Sequence, residues 1–163
     1  MAKNKEEKTN VMRVLEQKKI AYTAHTYPHE EGMAVDGVTV AKSMGFDPAI
    51  VFKTLVARGA SKQYYVFDVP VAENLDLKKA AKAVGEKSIE MIHQKELLPL
   101  TGYVHGGCSP VGMKKLFPTV FHETAENLET MIVSAGKIGY QVELAPRDLA
   151  ALVRAKFADL IAE

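Results

Sequence analysis

The stretch VFKTLVA, residues 51–57, decides the class of fold. It is rich in the β-branched and aromatic residues that fit a pleated, half-buried surface, and it carries a single charge, Lys53, in its midst. Residues 58–62 supply a glycine-containing turn, and residues 64–69 (YYVFDV) read as a second strand, so the pair predicts a β-hairpin. Working outward on the C-terminal side, residues 74–84 (NLDLKKAAKAV) switch to helical periodicity, with Asp76 as the cap and Gly85 as the stop. Short strands are expected near Ile89, Val104, Val120, Ile132 and Val142, divided by Gly, Pro or Asn. Pro146 opens a last helix whose Leu149, Leu152 and Val153 share one face. On the N-terminal side, Val11, Val14 and Leu15 recur at helical spacing after Thr9 and Asn10, either of which can cap a first helix. Residues 20–27 then alternate as a strand up to Pro28, residues 38–44 form a helical stripe ended by Gly45, and Asp47–Pro48 starts a brief turn of helix. Strands outnumber helices without regular alternation, which predicts an α+β domain rather than a doubly wound sheet.

Composition bounds the rest. A chain of 163 residues with 47% apolar and 25% charged residues has the make-up of one globular domain, here taken as residues 1–163, and shows no repeat or low-complexity tract. The first nineteen residues, MAKNKEEKTNVMRVLEQKK, are charged throughout, and no stretch has the apolar length of a membrane span, so a cytoplasmic protein is expected. The single cysteine, Cys108, has no disulfide partner within the chain. With 21 basic and 20 acidic residues, the net charge of +1 gives no global attraction to nucleic acid. A local basic face remains open at Lys78, Lys79 and Lys82, and at Lys114 and Lys115, where a merely solvated surface is the alternative.

Two local signals carry chemistry. The stretch GGCSPVG, residues 106–112, crowds three glycines, a serine and a proline into seven positions. Such backbone either makes a tight turn or brings main-chain N–H groups close to a ligand, where they stabilise an oxyanion or a phosphate. Lys53 either snorkels from its strand to solvent or points into a pocket, where an ammonium can hold an ester carbonyl, a phosphate or a ribose. Cys108 beside His105 admits a cysteine nucleophile, the alternative being a small apolar residue. His25 and His29 lack the helical register and further ligands that a metal site needs, and no metal or other cofactor is expected.

FKTL (residues 52–55) and GGCSPVGMKK (106–115) resemble the signatures of the YbaK/EbsC aminoacyl-tRNA deacylases. HTYPH (25–29), the LDLKKAAKAVG stretch, SAGKIG (134–139), VELAPRDL and the closing KFADL follow in the same order, so the resemblance spans nearly the whole chain. It implies the fold of the editing domain of bacterial prolyl-tRNA synthetases, a mixed, barrel-like sheet flanked by helices. It also implies trans-editing: hydrolysis of mischarged aminoacyl-tRNA, foremost Cys-tRNA(Pro) and also Cys-tRNA(Cys). Ala-tRNA(Pro) is the alternative substrate, and a non-catalytic module binding tRNA or a synthetase is the alternative class. By the same resemblance Lys53 is the essential pocket lysine, and Gly106 and Gly107 open the G-x-x-x-P loop whose backbone acts at the aminoacyl group. The resemblance likewise implies that Tyr27, Thr54, Ser109, Pro110, Ser134 and Gln141 contact the substrate. The resemblance further implies that the thiol of the bound cysteine attacks its own carbonyl, without a protein nucleophile or a metal. The implied partners are mischarged tRNA(Pro) and prolyl-tRNA synthetase, with no DNA and no membrane. Gln141 stands where the family pattern has an aspartate, and Asp36 near a position that holds phenylalanine, so both alter the pocket wall.

Overall fold

A computed structural model describes residues 8–30, 33 and 35–163. The expected hairpin is its centre: β2 (Phe52–Gly59) pairs antiparallel with β3 (Tyr64–Pro70) in the register Lys53↔Val69, Thr54↔Asp68. β4 (Ile89–Met91) adds to the free edge of β2. On the other side β5 (Thr119–His122) joins β3 in parallel, and β8 (Lys156–Ala158) joins β5 in parallel, giving a five-stranded sheet in the order β4-β2-β3-β5-β8. A second sheet, β1-β7-β6, is antiparallel and built from β1 (Thr23–Thr26), β6 (Met131–Ser134) and β7 (Tyr140–Leu144). The α+β class therefore holds. The expected barrel-like sheet is two open sheets joined at an isolated parallel bridge between Val51 and Ile132, not a closed barrel.

The helices follow their local chemistry. Thr9 caps α1 (Asn10–Gln17) by accepting the Met12 N–H, and Asp36 caps α2 (Gly37–Ser43) at Thr39 N–H. Asp47 accepts from Ala49 N–H at the head of a 3-10 turn, Pro48–Ile50. In α3 (Leu77–Val84) one Asp76 oxygen accepts from both Lys78 and Lys79 N–H, and Gly85 takes the left-handed stop. α5 (Pro146–Val153) buries Leu149 and Val153.

One expected strand is absent. Residues 94–101 form a helix, α4 (Gln94–Thr101), closed by Gly102, and Val104 lies exposed in the turn beyond it. Pro99 in the last turn of α4 hides it from a periodicity reading, while Glu96 caps its start by accepting from His93 N–H at 2.8 Å. The main core packs α1, α5 and the β6–β7 pair against β2 and β5, with Leu15, Phe121, Met131 and Leu149 sealed from solvent. Truncating Phe121 to alanine would cost about 3–5 kcal/mol.

Candidate active site

The two sheets touch through Val51 and Ile132 and then diverge, and the gap between them is a cavity of about 530 Å³. Because that bridge is parallel, the residues two places further along, Lys53 on β2 and Ser134 on β6, keep in step and both reach the gap. Ser134 pairs across to Gln141 on β7, and Tyr27 follows the last residue of β1, its N–H held by the Gly139 carbonyl at 2.9 Å. Six of the residues expected at a site thus line one cavity: Tyr27, Lys53, Thr54, Gly106, Ser134 and Gln141.

The remaining three, Gly107, Ser109 and Pro110, are not on its wall. All three are buried behind it. A side chain on Gly107 would lie 3.1 Å from the Ile138 nitrogen, so this glycine lets the 106–112 loop press against the 134–139 loop. Its N–H is taken by the Val104 carbonyl at 2.9 Å, which leaves it no donor for a ligand in this arrangement. Ser109 is fully buried, and its hydroxyl accepts from Val111 N–H. Gly139, at φ +95°, makes room for the His29 ring, whose nearest atom lies 2.2 Å from where a side chain would start.

Electrostatics distinguish Lys53. It is half-buried, and burial lowers its pKa from the ordinary lysine value while the carboxylates of Asp36 and Glu73 act against that shift. Its side chain lines the cavity beside Asp36. Gln141 is 8% exposed, and its Oε1 is buried without a hydrogen-bond partner among the described residues. Ser134 accepts from Gly136 N–H at 3.1 Å, which orders the turn at the cavity edge. Cys108 lines the cavity, but burial first, and then the charge of Asp68, pushes its thiol up to about 12. A thiol so held is protonated at neutral pH and is a poor nucleophile. His25 Nε2 meets Glu143 at 2.8 Å and His29 Nδ1 meets the Tyr27 carbonyl at 3.1 Å, so the two histidines serve different partners.

Asp36, Tyr140 and His105 also line the cavity. Asp36 was expected at the pocket wall and is there, His105 was marked only as a neighbour of Cys108, and Tyr140 carried no signal beyond the glycine before it. The basic candidates divide: Lys79 is tied to Asp159 at 3.0 Å and to the Ile161 carbonyl, whereas Lys78 and Lys82 are exposed. Lys114 reaches the Pro99 carbonyl at 3.3 Å.

An inward lysine, a glycine loop and polar groups converging on a cavity between two sheets make a site suited to stabilising charge on an acyl group. The chain belongs to the aminoacyl-tRNA editing domain family, whose sequence profile matches residues 29–152. It is 45% identical over 161 residues, 98% of each chain, to an Enterococcus faecalis protein named "Putative Cys-tRNA(Pro)/Cys-tRNA(Cys) deacylase EbsC". Among solved structures it is similar to "a putative trans-editing enzyme for prolyl tRNA synthetase", with a TM-score of 0.78 at 25% identity over 94% of this chain and 95% of that one. A second crystal structure, of a hypothetical protein, shares the fold with a TM-score of 0.82 at 19% identity, covering 93% and 99%. No helix among the described residues is long and apolar enough to cross a membrane.

Proposed function

We propose that the protein is a trans-editing aminoacyl-tRNA deacylase that cleaves the ester of Cys-tRNA(Pro), and of Cys-tRNA(Cys), in the cavity between the two sheets. The observation that carries this reading is Lys53, a cation turned into a cavity that Gly106, Ser134 and Gln141 also line. The ester carbonyl sits against the Lys53 ammonium, which stabilises the negative charge as the carbonyl carbon becomes tetrahedral. The Gly106 N–H, which has no partner among the described residues, is one main-chain donor at the cavity. Gly107, Ser109 and Pro110 hold the loop in place from behind. Tyr27 and Thr54 flank the amino acid, and the unpartnered Gln141 Oε1 accepts from its α-ammonium.

Burial holds the Cys108 thiol protonated, and in this reading the nucleophile is the thiol of the bound cysteine itself. Its thiolate forms a C–S bond to its own carbonyl carbon as the ester C–O bond breaks, and the thiol proton passes to the departing ribose oxygen. This chemistry spares proline, which has no thiol. Size alone would separate such small side chains by only about 1–3 kcal/mol per methylene. A near-neutral chain binds tRNA weakly, so prolyl-tRNA synthetase is proposed as the partner that presents the acceptor end.

The test is loss of ester from tRNA(Pro) carrying cysteine, alanine, serine or proline, followed above the spontaneous rate for the parent and for Lys53→Ala. Cysteine release by the parent alone is expected. Release of serine at a comparable rate would remove the thiol step, and release of alanine would move the protein to the alanine-editing class. Binding of tRNA without cleavage of any ester would make it a binding module.

A further inference from the structure

Behind the cavity lies an ionisable group that the proposed reaction does not use. Asp68 is fully buried on β3, directly across from Thr54 on β2. The Thr54 hydroxyl donates to its Oδ1 at 2.5 Å, and Oδ2 has no partner among the described residues. Thr54 itself lines the cavity, so the carboxyl sits one side chain away from the substrate space. A buried carboxyl with an unanswered oxygen costs stability wherever it stands, and such groups persist mainly where they have work to do.

We propose that Asp68 is a positioning residue: its carboxylate holds the Thr54 hydroxyl as a donor turned away from the cavity, so that Thr54 presents only oxygen lone pairs to the bound aminoacyl group. The inference rests on the deacylase reading for its substrate. A hydroxyl has one proton, and a carboxylate can only accept, so the direction of this bond is fixed while Asp68 is ionised. Protonated Asp68 can donate instead, which frees the Thr54 proton to turn toward the cavity. One proton on Asp68 thereby converts this part of the wall from acceptor to donor, changing its fit to a donor group of the substrate.

The surroundings place this exchange in an accessible range. Burial pushes the Asp68 carboxyl up to about 7, and the Thr54 bond acts in the opposite direction. The groups facing it are the neutral Thr54 from β2, Phe121 in register from β5, and the protonated Cys108 thiol from the glycine loop. The nearby Lys53 ammonium is opposed by Asp36 and Glu73 instead.

Two measurements decide it. The ratio of kcat/KM for Cys-tRNA(Pro) between the parent and Asp68→Asn, taken from pH 5.5 to 8.5, cancels the substrate's own titration. It is expected to rise with pH through a midpoint near 7, to about tenfold, as for one charge-assisted hydrogen bond. A ratio independent of pH overturns the proposal, since a purely structural role would lower activity evenly. Separately, the carbon-13 carboxyl resonance of Asp68 is followed against pH in the parent and in Thr54→Val. Losing the donor is expected to raise the midpoint; an unchanged midpoint, or a parent midpoint in the ordinary aspartate range, overturns it. If the parent cleaves no ester, the deacylase reading falls, and the carboxyl titration alone decides whether Asp68 holds Thr54.

Discussion

At the β5–β8 edge of the large sheet, His122 is 2% exposed and its Nδ1 accepts the Leu160 N–H at 3.1 Å; next to it Lys79 joins Asp159. Around the cavity, Asp68 and Gln141 are also buried, yet each leaves an oxygen without a partner among the described residues. His122 Nδ1 also lies 4.0 Å from Asp159, but its lone pair is already taken by Leu160, so this is a neutral imidazole and no salt bridge. Both regions bury polar groups at similar depth, so depth does not separate them. Satisfaction does: the edge answers its own groups, whereas Asp68, behind the cavity, and Gln141, on its wall, each keep one oxygen without a partner among the described residues.

Substitutions can break or sharpen this contrast. The largest effect is expected on the cavity side in activity: Lys53→Ala should lower deacylation by about 10²–10³-fold, the scale of losing one oxyanion donor, with the thermal melt little changed. Next comes Asp68→Asn, read as stability. The carboxyl is raised in the folded state, so its contribution is complete below the unfolded aspartate value near 3.9 and is lost as pH rises toward 7. The melting temperature of Asp68→Asn should therefore gain on the parent between pH 4 and 7 and hold its lead above that. A gain of about 2 kcal/mol is expected, roughly half of what the full shift allows, because local relaxation softens burial.

His122→Ala is expected to cost about 1–2 kcal/mol by leaving the buried Leu160 N–H unanswered, with activity falling only as the folded fraction does. Burial lowers the pKa of His122, so its contribution is present above the ordinary histidine value and disappears as pH falls through the depressed one. Denaturant melts at pH 7.5 and 5 should show the parent losing stability on that side and His122→Ala losing less. The smallest effect belongs to Cys108→Ser, which should change deacylation by no more than about twofold, since a thiol pushed up to about 12 supplies no nucleophile. Abolished hydrolysis in a folded Cys108→Ser protein would restore the cysteine nucleophile.

The readable parts of the fold were those with strong local chemistry. The VFKTLVA hairpin, the Asp76 and Gly85 ends of α3, the Asp47–Pro48 turn and the Pro146 helix all lie where residue type dictates backbone. α4 was obscured because Pro99 sits inside it and Leu98 on it is exposed, and β8 is only three residues, too short for a periodic signal. The site was legible where it coincided with motifs. Lys53 stood out as a charge in a strand, and the 106–112 glycines as unusual backbone. Asp68 gave no such sign, because a lone acid in YYVFDVP looks like ordinary alternation, while every residue from Tyr65 to Pro70 is buried.

The sequence by itself determined the hairpin, the helix caps and the α+β class, because each depends on neighbours within a few positions, and it marked Lys53 as a charge in a strand without deciding where it points. Only the tertiary structure decided that the sheets stay open, that Gly107 supports the wall from behind, and that Asp68, across from Thr54, has one oxygen unanswered among the described residues. The open sheets and the wall arise from segments far apart in the chain meeting, and even within the β2–β3 hairpin no local pattern encodes which buried group will find its partner.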